Sequence, residues 1–249
     1  PWNLTGSLFA VDLASMQAAS FIGVYGLCII AIAFAAAPAF WALGHRRFSI
    51  IAITLPIILA VAGAIRLAGA PDLVASSSAG PVVRLVQPAI PQAEKWDRSN
   101  RQTHLDQLVD LSRPNGLEPK LVIWPETAFA GFASRNTALL DKTVRDATSK
   151  KGTLITGIPR FAADKTLLNS AIMINHEGQT KGIYDKRHLV PFGEYIPFRK
   201  WLPFRHPIVG AVDFSAGQNN ALMQLEGIGA MQLLICYEVI FSGEVLSLA

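Results

Sequence analysis

Charge is scarce in this sequence, and its scarcity is local. Only 16% of the 249 residues are Asp, Glu, Lys or Arg, against 51% apolar, and none of the four occurs between Asp12 and Arg46. An ordinary soluble domain carries about a quarter charged residues, so a uniformly water-facing chain is excluded. Cysteine is rarer still. Cys28 sits inside the uncharged stretch and Cys236 at the end of an apolar run, so no disulfide framework is expected and each is judged by its own surroundings. The net charge of +4 comes without a Lys/Arg-rich run or a basic patch interleaved with aromatics, and nucleic acid is not an expected partner. Glycine-rich phosphate loops are missing, and no two histidines have metal-site spacing. No cofactor and no metal are expected.

What replaces charge at the N-terminal end is length. SFIGVYGLCIIAIAFAAAPAFWAL, residues 20–43, exceeds the roughly 20 residues a helix needs to cross a bilayer. Its small residues and Pro38 are tolerated in such helices. A second run, residues 48–66, is shorter but still spans. Between them GHRRF carries Arg46 and Arg47, and short basic loops stay cytoplasmic. Everything after Arg66 then lies outside. A buried helical hairpin in a large soluble core is the alternative. The opening PWNLTG shows no basic n-region and is read as the interior of a longer protein.

Residues 1–74 are therefore expected to be a membrane region, and ASSSAGP, residues 75–81, a linker. Beyond it, residues 82–90, 120–126, 153–159, 167–175 and 230–238 are short β-branched runs bounded by Gly, Pro and Asn, the pattern of buried strands. Residues 97–112 and 135–150 place Leu105, Leu108, Leu140 and Val144 at helical spacing. Strands alternating with helices predict a layered α/β domain over residues 82–249.

Several of these strands end on a reactive side chain. LVIWP stops at Glu126, QLLI at Cys236, and YDKRHLVPFGEYIP carries Lys186 and Glu194. Taken singly, Glu126 reads as a solvated turn residue, Lys186 as a surface charge and Cys236 as small core packing. Pro191, Gly193 and Pro197 shift the balance, because they bend the backbone around Glu194 for no evident core purpose. Together the set is chemically coherent. A thiol attacks as thiolate, so it needs a base or a cation beside it. Glu126 can take the proton and return it, and Lys186 can stabilise a tetrahedral oxyanion. A Cys/His pair using His188 is the competing arrangement.

WPETAF, YDKRHLVPFGEYIP and LLICYE resemble, in this order, the three catalytic motifs of the nitrilase superfamily. The upstream EKW and the two spans resemble its membrane-embedded acyltransferase branch. This resemblance implies an α-β-β-α sandwich, incomplete at its C-terminus, preceded by two transmembrane helices. It implies a Glu126, Lys186, Cys236 triad supported by Glu194, Tyr237, Glu238 and Trp96. It further implies acyl transfer from a phospholipid, through a cysteine thioester, to the N-terminal amine of a diacylglyceryl apolipoprotein. The setting would be the periplasmic side of a bacterial inner membrane. Hydrolysis of a small amide, or a non-catalytic membrane-anchored binding module, are the alternatives.

Overall fold

Helices α2 (Ala19–Ala42) and α3 (Arg46–Ala68) fall on the two uncharged runs, within two residues of the expected ends; α1 is the short helix Leu13–Met16 that precedes them. This is a computed structural model, and it describes residues 4–70, 80–91, 94, 95, 97, 99–130, 137–198, 201, 213–218 and 222–241. The chain divides into two units, Pro1–Ala79 and Gly80–Ala249.

In the first unit, polar side chains are too few to make an amphipathic stripe. Large apolar residues stand exposed, such as Phe21, Ile29 and Ile32 on α2 and Phe48, Ile51 and Ile58 on α3. That surface suits lipid better than water. Both helices are long and apolar enough to cross a membrane. Gly23 breaks the helical dihedrals of α2 (φ 64°, ψ 174°), a conformation that glycine adopts at little cost. Helix α1 and a 3-10 turn, Thr5–Val11, were not anticipated from the sequence. Asp12 caps α1 by accepting from Ser15 N–H at 2.9 Å. Cys28 belongs to this unit and accepts the Gly6 N–H at 3.2 Å.

The second unit is built on a mixed sheet. Strands β1 (Val83–Leu85), β2 (Leu121–Ile123), β3 (Thr153–Phe161), β4 (Leu167–Asn175) and β5 (Thr180–Asp185) lie side by side in chain order. The first three are parallel and the last two pairings antiparallel. Parallel neighbours need crossovers. These contain α4 (Arg101–Ser112) and α5 (Thr137–Ala147). Leu105, Leu108, Leu140 and Val144 on these helices bury against Val122, Trp124, Leu154 and Ile158. Each such fully buried side chain stabilises the fold by about 1.5–3 kcal/mol. The opposite sheet face packs on a hairpin, β6 (Leu222–Leu225) and β7 (Gly229–Gln232), through Leu121, Ile155, Met173 and Tyr184 against Met223 and Ile235. Helices, sheet and second sheet are three layers of the expected α-β-β-α sandwich.

The structure corrects one expectation directly. Residues 230–238 are not one strand: β7 ends at Gln232, and a 3-10 helix, Cys236–Ile240, begins at the cysteine. Strands β5 and β6 were not read from the sequence. TKGIYD lies at a sheet edge and is largely exposed over its first half, which erases the apolar pattern. Trp96 and residues 75–79 of the expected linker lie outside the described residues.

Candidate active site

Four of the expected residues meet at one end of the sheet. Glu126 follows β2 on a loop whose next residue, Thr127, has φ 53°, a left-handed conformation that is costly for a β-branched residue. Two neighbours hold that loop. Lys95 donates to the Glu126 carbonyl at 2.9 Å, and β3 approaches so closely at Gly157 that a Cβ there would come within 2.6 Å of Glu126 Cα. Glycine is required by contact here, not by its dihedrals.

Lys186 directly follows β5 and is 1% exposed. A buried ammonium needs compensating charge. It has two carboxylates, Glu194 at 2.9 Å and Glu126 at 3.6 Å. Its backbone is pinned on both sides, by its N–H donating to the Asn169 carbonyl and its own carbonyl accepting from Gly217 N–H, each at 2.8 Å. Glu194 sits in the bent segment that the prolines and glycine foreshadowed. Phe192 there has φ 64°, and the Glu194 carboxylate accepts Val190 N–H at 2.8 Å. Sequence reasoning missed Asn169. Buried in β4, its Nδ2 donates to Glu126 at 2.6 Å and to Glu194 at 2.9 Å.

Cys236 opens its 3-10 helix with φ 51° and stands exposed. It is not core packing. Packed protein beneath it pushes the thiol pKa up, and the Glu126 charge and a hydrogen bond to Glu126 push it the same way. The Lys186 ammonium and the Tyr237 N–H oppose them. The sequence left open whether a base or a cation would activate the sulfur. With the thiol raised, a standing thiolate is disfavoured, and transfer of its proton to Glu126 during attack is the route this geometry offers.

Glu238 and Tyr237 take different places. Glu238, 2% exposed, accepts from Tyr184 O–H at 2.6 Å, Arg187 N–H at 2.7 Å, His188 N–H at 3.1 Å and Ile235 N–H at 2.8 Å. It thereby ties the residues after Lys186 to the residue before Cys236. Burial and the Glu238 carboxylate push the Tyr184 phenol well above its ordinary range, so it stays a donor. Tyr237 meets Phe241 edge-on at 5.2 Å, and Phe241 stacks on the His188 ring at 4.2 Å. His188, the competing base, is thus held in an aromatic stack, and the groups that act most on the Cys236 thiol are Glu126 and Lys186. Among the described residues no group of three His, Cys, Asp or Glu side chains is placed to hold a metal ion.

The chain is 35% identical to the apolipoprotein N-acyltransferase of Rhizobium rhizogenes and 34% identical to that of Brucella suis, over 98% of its own length and 48% of theirs. It spans about half the length of the curated relatives it matches. Among solved structures, a carbon-nitrogen hydrolase from Helicobacter pylori G27 matches with a TM-score of 0.44 at 17% identity, covering 63% of this chain and 52% of that one. NitN amidase from Neterenkonia sp. AN1 matches with a TM-score of 0.41 at 20% identity, covering 67% and 58%. The family model for the carbon-nitrogen hydrolases matches residues 82–249, the whole sheet-bearing unit beyond its first two residues, and this chain belongs to that family.

Proposed function

We propose that this chain is the membrane-anchored catalytic part of an N-acyltransferase that moves an acyl chain from a phospholipid to the N-terminal amine of a diacylglyceryl-cysteine lipoprotein. The observation that carries the reading is an exposed thiol on which both the Glu126 carboxylate and the buried Lys186 ammonium act, those two groups standing 3.6 Å apart. The two long apolar helices and the names of the relatives favour a lipid-derived acyl donor over a small amide.

In the first half-reaction Glu126 removes the Cys236 proton as sulfur attacks the ester carbonyl of the donor. Lys186 and the Tyr237 N–H face the charge that develops on the carbonyl oxygen. The tetrahedral adduct collapses, the carbon–oxygen ester bond breaks, and the lysophospholipid hydroxyl leaves with the proton that Glu126 held. In the second half-reaction the acceptor amine attacks the thioester and gives a proton to Glu126. The carbon–sulfur bond breaks, and the thiolate recovers that proton. Glu194, at 2.9 Å, neutralises Lys186 and keeps the ammonium in place. Water must be kept from the thioester for transfer to beat hydrolysis.

Arg46 and Arg47, the first two residues of α3, support placing the sheet-bearing unit on the periplasmic side of the inner membrane. Arg46 lies over the Trp41 ring at 5.5 Å, and both residue types favour the membrane–water interface. The test is product formation: full-length protein in membranes, with phospholipid labelled in its acyl chains and a diacylglyceryl peptide bearing a free N-terminus. Labelled amide on the peptide is expected. Release of free fatty acid with no labelled amide would identify a hydrolase and overturn the proposal.

A further inference from the structure

We propose that Asn169 is a further positioning residue of this site, one that holds both carboxylates and Lys186 in a single arrangement. It is 5% exposed, the third residue of β4, and it touches three functional residues at once. Its side-chain nitrogen donates to Glu126 and to Glu194 at 2.6 and 2.9 Å, and its backbone carbonyl accepts the Lys186 N–H at 2.8 Å.

The physical need is a shortage of positive charge. Lys186 is the ammonium these two carboxylates share, and one cation does not balance two anions held a few ångströms apart. Like charges at such range move apart or take up a proton. An amide NH2 offers two donors on one atom with no charge and no acid–base chemistry of its own. Ionised carboxylates only accept, so the nitrogen, not the amide oxygen, must face them. Each N–H is committed to one carboxylate. Glu126 is thus held between Asn169 and Lys186 while its charge still acts on the Cys236 thiol. Aspartate at this position would put a third negative charge in the cluster. Leucine would fill the space and donate nothing.

Strand register makes the placement rigid. Asn169 pairs with Pro159 of β3, and its neighbour Ser170 pairs with Asp185, the residue before Lys186. Ser170 donates to Asp185 at 2.6 Å, and Arg160 forms an ion pair with the same carboxylate. The amide therefore sits on a stretch of sheet already fixed to the base of Lys186.

This assignment rests on the acyl-transfer reading only for the identity of the donor, and the experiment separates the two. Full-length wild type, Asn169→Asp and Asn169→Leu are assayed for the burst of nitrophenol released from a p-nitrophenyl fatty-acid ester, which reports acylation of Cys236 without phospholipid. The burst rate is followed across pH. Asn169→Leu is expected to lose roughly 100-fold, the scale of a misplaced catalytic group. Asn169→Asp is expected to be similarly slow at neutral pH, with its rate relative to wild type rising as pH falls, because the protonated carboxyl regains a donor. A merely structural role gives a ratio independent of pH. Near wild-type rates in both variants, a constant ratio for Asn169→Asp, or failure of both to accumulate folded would each overturn the assignment. Normal bursts in wild type with no acylation by phospholipid would contradict the proposed donor and leave Asn169 in its place.

Discussion

The proposed base and the proposed nucleophile of this site are held in opposite ways. Glu126, Lys186 and Glu194 surround a buried strand residue, with backbone and side-chain bonds to β4 and a close contact with β3. Cys236 stands exposed on a short helix beyond a two-stranded hairpin, and the turn that presents it is tied back by one carboxylate, Glu238. The comparison teaches where precision is built in. Under the proposed function, proton transfer and oxyanion stabilisation depend on fixed geometry and are given the sheet, while a sulfur that attacks a large lipid's carbonyl is given a projecting turn.

Breaking the buried side should cost most. Lys186→Met leaves two carboxylates without their ammonium and is expected to lower stability by about 3–5 kcal/mol, the cost of orphaning one side of a buried ion pair. Acylation of Cys236 should fall by at least ~10²-fold. Chemical unfolding and burst kinetics measure the two effects. Unchanged stability would mean that the pair is solvated and the comparison mistaken.

Cutting the tie between the halves comes next. Glu238→Gln replaces a group that accepts four hydrogen bonds with one whose nitrogen faces donors, at an expected cost of about 1–3 kcal/mol. If Glu238 aligns the cysteine with Lys186, acylation falls while thermal unfolding of the sheet shifts by only a few degrees. A variant with normal acylation would remove Glu238 from the alignment.

A smaller and purely steric probe acts on the Glu126 loop. Gly157→Ala places a methyl group where 2.6 Å separates it from Glu126 Cα, and the loop must shift to admit it. An acylation rate reduced roughly 10- to 100-fold, with Cys236 alkylation little changed, is expected. Equal loss of both would point to general unfolding instead.

The mildest probe reads the thiol alone. Burial comes first and the Glu126 charge second among the causes that raise the Cys236 pKa. Glu126→Gln removes the second, so the pH profile of iodoacetamide alkylation should move to lower pH and alkylation at neutral pH should quicken. Lys186→Met should move it the other way, because Lys186 lowers that pKa. Glu126→Gln would then be more reactive towards iodoacetamide and inactive towards an acyl donor. That split separates a general base from a group that merely sits nearby.

Much of this was legible in the sequence, for reasons that particular residues make clear. The two apolar runs announced their helices through length and absence of charge. Leu105, Leu108, Leu140 and Val144 gave helical spacing and form the core against the sheet. LLNSAIMIN matched β4 end to end, yet its asparagine passed unnoticed. A polar residue inside an apolar strand was the available signal, and only the fold shows what stands opposite it. The apolar run up to LLICYE concealed the opposite lesson. Its hydrophobicity fits a strand, but the left-handed φ at Cys236 ends the extended run before the cysteine, and no periodicity reveals a backbone turn imposed by tertiary contacts. Glu238 was expected to support the site. That it collects backbone N–H groups from two separate segments is information that only the three-dimensional structure contains.

The most direct test of the account is to trap the acyl-enzyme. Full-length protein in membranes is incubated with phospholipid labelled in its acyl chains, denatured, digested and examined for label on the Cys236 peptide with and without hydroxylamine. The account predicts hydroxylamine-sensitive label on Cys236 in wild type and none in Cys236→Ser, Glu126→Ala or Lys186→Ala. Wild type without label, or label that persists in Cys236→Ser, would contradict it.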